Sequence, residues 1–133
     1  MREETPWRVE EIENLAHFVY AVDDSQARIL DNDFEALGMV VIPCSVKSMA
    51  AIALSTHDNL LIRAANAILQ TGRKLVLVIR ETPVHIGHIK IMLRLAEAGA
   101  ILLPPIPTFE QRPKTVDDLV DQIVHRVLRI FKT

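Results

Sequence analysis

Residues 75–79, Leu-Val-Leu-Val-Ile, are apolar at every position, and a charged turn, Arg80-Glu81-Thr82-Pro83, stops them. A strand with one wet face alternates apolar and polar residues. A strand apolar on both sides belongs in the middle of a parallel sheet whose two faces are covered. The rest of the chain fits that demand. Residues 39–42 form a second short apolar run between Gly38 and Pro43, and residues 100–103 a third, closed by Pro104-Pro105. Helical patterns alternate with these runs. One starts at Ser45 and runs to Leu54. The next is capped at Asp58-Asn59 and ends near Gln70, before Thr71-Gly72. Residues 86–98 present Ile89, Met92, Leu93 and Ala96 on one face and stop at Gly99. Thr115 and Asp118 resemble a capping box opening a last helix through Leu119, Ile123, Val127 and Ile130. Residues 8–18 carry Val9, Ile12, Leu15, Ala16 and Phe18 at helical spacing, and residues 23–37 read as an irregular acidic loop.

Strand, helix, strand, helix, strand, helix implies an α/β fold with a parallel sheet and right-handed crossovers. The 133 residues suffice for a single domain, 1–133. Ligands of such sheets sit outside the C-terminal strand ends. Three segments are therefore expected in one crevice: Pro43-Cys44-Ser45, Arg80-Glu81-Thr82, and residues 104–110.

Composition narrows the partners. Half the residues are apolar and the formal charge is −2, with no basic block. Nucleic acid is not expected, and some apolar surface is expected between subunits. No apolar run could span a bilayer. The acidic start does not resemble a secretion signal. One cysteine, Cys44, excludes an internal disulfide and fits a reducing cytoplasm.

Each candidate for chemistry has a plain structural alternative. Gly38, Gly72, Gly87 and Gly99 are scattered, so no glycine-rich phosphate loop exists. Ser45 and Ser48 open a helix directly after a strand. Their hydroxyls and the helix amides could hold an anion or a flavin edge, or Ser45 could simply cap. Arg80-Glu81 is either an active-site element or a pair that closes the strand. Arg63, inside an apolar helix, either reaches a phosphate or a neighbouring subunit, or is solvated. His85 and His88 have i, i+3 spacing but no third ligand, so no metal is expected. Cys44 at a strand end is either reactive or a buried, inert thiol.

The blocks Gly38-Met39-Val40-Val41-Ile42-Pro43-Cys44-Ser45, Asp58-Asn59-Leu60 and Arg73-Lys74-Leu75-Val76-Leu77-Val78-Ile79-Arg80-Glu81-Thr82-Pro83 resemble the UbiX-type (Pad-type) flavin prenyltransferases. Met92-Leu93-Arg94-Leu95 and Thr115-Val116-Asp117-Asp118-Leu119-Val120 extend the likeness over nearly the whole chain. The resemblance implies a flavodoxin-like, Rossmann-like three-layer fold assembled as a homo-oligomer, a dodecamer in the family, with each flavin site shared between subunits. It implies binding of reduced FMN, dimethylallyl transfer from dimethylallyl phosphate, and a product that serves a separate UbiD-type decarboxylase. By the same resemblance Ser45, Ser48, Arg63 and Arg80 would contact cofactor, Glu81 and Glu4 would be catalytic, and Arg126 would contact substrate phosphate.

The departures from the family pattern carry their own expectations. The family's opening strand, its Thr-Gly-Ala-Ser-Gly loop, and the helix and strand after it find no match, so the domain reads as N-terminally truncated. The strand at 39–42 is then left with an open edge. A serine- and glycine-bearing loop of the family appears as Leu30-Asp31-Asn32-Asp33-Phe34. Gln70 stands for a lysine and Glu110 for a tyrosine of the prenyl-phosphate site. Together these make that site less positive by about two charges, each worth roughly 4 kcal/mol per phosphate charge at ~4 Å and an effective dielectric near 20 before screening. The expectation is a degenerate member with weakened or lost FMN binding. It would not be a competent prenyltransferase alone, and would serve as a partner in a prenylated-FMN-dependent aromatic acid (de)carboxylase system. The alternative is an active flavin prenyltransferase.

Overall fold

A computed structural model describes residues 5–31 and 33–132. Three parallel strands, β1 (Gly38–Cys44), β2 (Lys74–Ile79) and β3 (Ile101–Leu103), lie in the order β1-β2-β3. Val40 pairs with Val76 and Val41 with Leu77 on one side of β2, and Val76 pairs with Ile101 on the other. The all-apolar run is thus the central strand, buried from Leu75 to Ile79.

The side chains of β2 alternate between two cores. Leu75, Leu77 and Ile79 face a layer built from α2 (Val46–Ala53), α3 (Leu60–Gln70) and α4 (Ile86–Glu97), where Met49, Ile52, Ile62, Ala65 and Leu95 are buried with them. Val76 and Val78 face α5 (Val116–Phe131) through Val127, Ile130 and Phe131. Helices on both faces of an open parallel sheet make the flavodoxin-like three-layer fold that the family resemblance implied.

Local chemistry sets the helix limits. Ser45 Oγ accepts from Ser48 N at 3.1 Å, and Asn59 Oδ1 accepts from Ile62 N at 3.0 Å. Thr115 and Asp118 form the expected reciprocal box. Three helices end in the same double hydrogen bond. After α3, Arg73 N reaches Ile68 O and Gly72 N reaches Leu69 O; after α4, Ala100 N and Gly99 N reach Leu95 O and Ala96 O. Gly72 and Gly99 take the positive φ this motif needs, +70° and +104°. After α2 the same bonds run from Thr56 N and Ser55 N, but a serine holds the left-handed position, with φ 55°. A Cβ there costs about 1 kcal/mol. Ser55→Gly is therefore expected to raise stability by roughly that amount, read as a higher urea midpoint with an unchanged slope.

The box at α5 also answers to pH. The Lys114 and Thr115 amides donate to Asp118 Oδ2 at 2.8 and 3.1 Å and hold its carboxyl below the usual carboxylate range. The folded value is the lower one. Its stabilisation is therefore present above the ordinary aspartate pKa of about 4 and is lost as pH falls through the folded value. Denaturation midpoints of the wild type and Asp118→Asn should differ at neutral pH and converge in acid.

One expectation fails. The helical spacing of residues 8–18 yields only α1 (Val9–Glu13), which buries none of its residues. Val9, Ile12, Leu15 and Phe18 stay exposed. Amphipathic spacing specifies a helix only when its apolar stripe meets a partner, and five residues cannot sustain one alone. The loop at 23–37 is irregular as expected, apart from a single 3-10 turn at Arg28–Leu30. Arg73 secures its end by donating to Phe34 O at 3.3 Å and Ala36 O at 3.5 Å. Asn32 and Glu4 lie outside the described residues.

Candidate functional site

Two of the three expected segments meet. Where β1 and β2 end side by side, Pro43, Cys44, Ser45, Ser48, Arg80 and Glu81 line one cavity of about 220 Å³. The parallel register brings this about by pairing Cys44 with Ile79, so the residues after each strand emerge together. Ser45 caps α2 and its Oγ lies 3.1 Å from Ser48 Oγ. The capping and functional readings of Ser45 are therefore compatible, because the cap fixes both hydroxyls at the cavity wall. Among the described residues the hydrogen-bond network occupies Ser45 and Ser48 but ties down neither Arg80 nor Glu81. Glu81 is half-buried and Arg80 exposed. A free cation, a free carboxylate and two oriented hydroxyls at a helix N-terminus can grip an anionic or polar ligand edge and exchange a proton with it.

Cys44 lines the same cavity but is not its nucleophile. It is 2% exposed, and burial pushes its thiol up to about 11. A thiol held that high carries very little thiolate at neutral pH. Iodoacetamide at pH 8 should label Cys44 in the native protein at least roughly a hundredfold more slowly than after denaturation, as read by intact mass.

The third segment does not join this cavity. Residues after β3 fold onto α5 instead. Gln122 Oε1 accepts from Thr108 N at 2.9 Å, Gln122 Nε2 donates to Thr108 O at 2.9 Å, and Arg126 Nη1 donates to Ile106 O. Glu110 is exposed in the following turn. A larger groove of about 360 Å³ runs here, lined by Thr108, Arg112, Asp121, His125, Arg126 and Arg129 among others. It is wider than the cavity at the strand ends but lies off the sheet, along one side of a helix. The strand-end cavity, with its converging charged and hydroxyl groups, is the stronger candidate. Sequence reasoning missed the groove, although Asp121, His125 and Arg129 stand at i, i+4 intervals that mark one helix face.

Other expected site residues are dispersed within the chain. Arg63 is half-buried on α3 and does not line the strand-end cavity. Gln70 lines a separate cavity of about 340 Å³ with Ser55, Asn66, Leu69 and Arg94 in the helical layer. Gln70, Glu110 and Arg126 do not meet in one chain. Glu4 is outside the described residues. His85 and His88 have a structural role: His85 Nδ1 accepts from Gly87 N at 3.0 Å and His88 N at 3.4 Å, while His85 N donates to His88 Nδ1 at 3.4 Å. The stacked rings cap α4 reciprocally. Among the described residues no three His, Cys, Asp or Glu side chains cluster as metal ligands, and no helix is long and apolar enough to cross a membrane.

The model of the family described as Flavoprotein matches residues 4–128. Flavin prenyltransferase UbiX of Thauera aromatica is 46% identical over 128 residues, spanning 96% of this chain and 66% of its own length. The Escherichia coli flavin prenyltransferase UbiX is 44% identical, covering 96% and 68%. The chain thus spans about two thirds of the length of these relatives. Among solved structures, AnUbiX in complex with FMN and dimethylallyl pyrophosphate superposes with a TM-score of 0.95 at 39% identity, over 99% of this chain and 70% of that one. A dodecameric FMN-dependent UbiX-like decarboxylase from an Escherichia coli strain superposes equally well, at 42% identity, over 99% and 72%. The strand-end cavity therefore stands in a fold that these solved structures share over 99% of this chain, and the chain belongs to the Flavoprotein family, as a UbiX-type member.

Proposed function

We propose that this chain carries out the chemistry of a flavin prenyltransferase in a homo-oligomer, binding reduced FMN and transferring to it the dimethylallyl group of dimethylallyl phosphate. The observation that carries this reading is the cavity of Ser45, Ser48, Arg80 and Glu81 at the adjoining ends of β1 and β2. Identities of 44–46% to flavin prenyltransferases support it over a degenerate, inactive role.

The residues present fit one edge of a flavin. Hydroxyls and helix amides suit the polar rim of the ring system, and a guanidinium suits an anion. A cavity of about 220 Å³ falls below the ~300–1,000 Å³ of sites that enclose a whole ligand. One chain therefore supplies part of a wall, and a neighbouring subunit supplies the rest. The dodecameric relative supports such an assembly. Sharing also explains why Arg63, Gln70, Glu110 and Arg126 point to different regions of a single chain. The charge deficit expected from Gln70 and Glu110 assumed both at ~4 Å from one phosphate. Both are exposed and apart in the chain, so solvent screening reduces the penalty.

Reduced FMN, when bound, would supply the nucleophile that forms a bond to the dimethylallyl carbon as its C–O bond breaks, with inorganic phosphate as the leaving group and a flavin proton given up. Ser45 and Ser48 would orient the cofactor edge, the Arg80 guanidinium would offset negative charge, and the Glu81 carboxylate would take up the released proton at the cavity wall. The product suits a separate UbiD-type decarboxylase. Titration of the chain with FMN under reducing conditions, followed by dimethylallyl phosphate, tests this. The expected result is a bound flavin and then a flavin heavier by one dimethylallyl group. Failure to bind FMN, or binding with no mass gain, would refute the proposal.

A further inference from the structure

Three helices of this chain open on a serine, asparagine or threonine oxygen, at Ser45, Asn59 and Thr115. Helix α4 opens on two imidazoles instead. His85 Nδ1 accepts from Gly87 N at 3.0 Å and from His88 N at 3.4 Å, and His88 Nδ1 accepts from His85 N at 3.4 Å. The two rings stack with their centroids 3.6 Å apart. Gly87 makes room for this arrangement. A Cβ there would come within 2.8 Å of His85 Cε1 and 3.1 Å of His85 Nδ1. Glycine is a poor helix former, and here its missing side chain lets the His85 ring lie against the amides. His85, Gly87 and His88 thus make one clamp.

The clamp closes the far end of the turn that carries Glu81. Among the described residues, 81–84 enter no turn or loop hydrogen bond. The turn is therefore held through its two ends, β2 on one side and the start of α4 on the other. Glu81 lines the strand-end cavity and stands four residues before His85. So short a span cannot absorb a shift of the helix start. Where α4 begins decides where the carboxylate sits.

We propose that His85, Gly87 and His88 are positioning residues for Glu81, and that they hold it only while both imidazoles are uncharged. The role at Glu81 rests on the proton transfer proposed above; the clamp itself does not. Both Nδ1 atoms accept from amides, so each ring carries its proton on Nε2. A proton on either Nδ1 turns the acceptor into a donor that faces an amide, and sets a cation at the positive end of the helix. Two charged rings would also repel each other across the stack. The other charges of the elements around the clamp are Lys90, Arg94 and Glu97 on α4, Lys47 on α2, and Arg80 and Glu81 in the turn, while β3 carries none. Among the described residues none of them hydrogen-bonds to either ring. Neutral rings make the clamp, so it is present at higher pH and lost as pH falls through the range in which imidazole charges, about pH 8 to 5. Turnover then falls because Glu81 leaves its place, while Ser45 still caps α2.

Hydrogen exchange of the Gly87 and His88 amides, corrected for the intrinsic rate at each pH, tests the clamp in the full chain. Prenyl transfer from dimethylallyl phosphate to reduced FMN over the same pH range tests the positioning. In the wild type, protection of both amides should fall roughly five- to tenfold between about pH 8 and pH 5.5, and kcat should fall with it. His85→Ser with His88→Glu rebuilds the reciprocal box without an imidazole. That variant should match the wild type at the higher pH and exceed it in acid, in protection and in kcat, by the factor the wild type loses. Gly87→Ala fills the space the His85 ring needs, and should lower protection and kcat at every pH while FMN affinity changes little. Equal acid losses in the wild type and the rebuilt box overturn the dependence on neutral rings. Wild-type protection in Gly87→Ala overturns the clamp, and lost protection with unchanged kcat overturns the positioning of Glu81. A wild type without turnover refutes the prenyl-transfer reading and the role at Glu81 with it, and the clamp then stands or falls on exchange alone.

Discussion

Glu81→Gln should reduce prenyl transfer by about 10²–10⁴-fold while FMN affinity changes by no more than about threefold. Glutamine keeps the length and the hydrogen-bonding oxygen of the side chain but cannot exchange a proton. The cavity wall should survive the change, because the Ser45 cap and the β1–β2 register that shape it do not depend on the carboxylate. Arg80→Ala should do the reverse in part, weakening cofactor binding by removing the cation that neighbours Glu81. Single-turnover mass analysis separates the two, since it reads chemistry apart from binding. Undiminished turnover in Glu81→Gln would remove the carboxylate from the mechanism.

Leu77→Ala should cost about 2–5 kcal/mol, a large part of the stability of a domain this size. Leu77 has no exposed surface, stands in the middle of the central strand, and packs in the core beneath α2, α3 and α4. Truncation leaves a cavity that a sheet bonded on both sides cannot close. Leu93 offers the control. It lies on α4 but is 58% exposed, so Leu93→Ala should change stability by only about 0.5 kcal/mol. Urea melts of the two variants give the comparison, and similar losses in both would contradict the assignment of the core.

The fold was legible wherever the signal was local. A strand apolar at every position had to be central, and β2 is. Ser45, Asn59 and Thr115 could be recognised as caps because a cap is a relation across three residues. The meeting of Ser45 with Arg80-Glu81 followed from the parallel topology alone. The reading failed where the deciding contact lay far along the chain. Residues 104–110 were placed at the strand ends on topology, yet Gln122, fourteen residues beyond Thr108, draws them onto α5. The stretch at 8–18 has the helical period but lacks a partner to bury it. No metal was expected of His85 and His88, but the cap their ring nitrogens make for α4 was not read from the sequence. Arg63, Gln70, Glu110 and Arg126 could not be placed in one site from the sequence, since nothing in one chain brings them together.

The two faces of the sheet are held unequally. Thirteen buried side chains form the core under α2, α3 and α4, while Val76, Val78 and Val127 are the buried members of the core under α5. Among the described residues the layer under α5 is thus the more thinly packed of the two. Helix α5 is the weaker, and because Gln122 and Arg126 clasp residues 106–108, the segment after β3 must loosen with it. Hydrogen exchange should therefore be faster in that pair than in the sheet and the layer under α2, α3 and α4. Arg126 thus stands on the more thinly packed of the two layers, apart from the cavity at the strand ends.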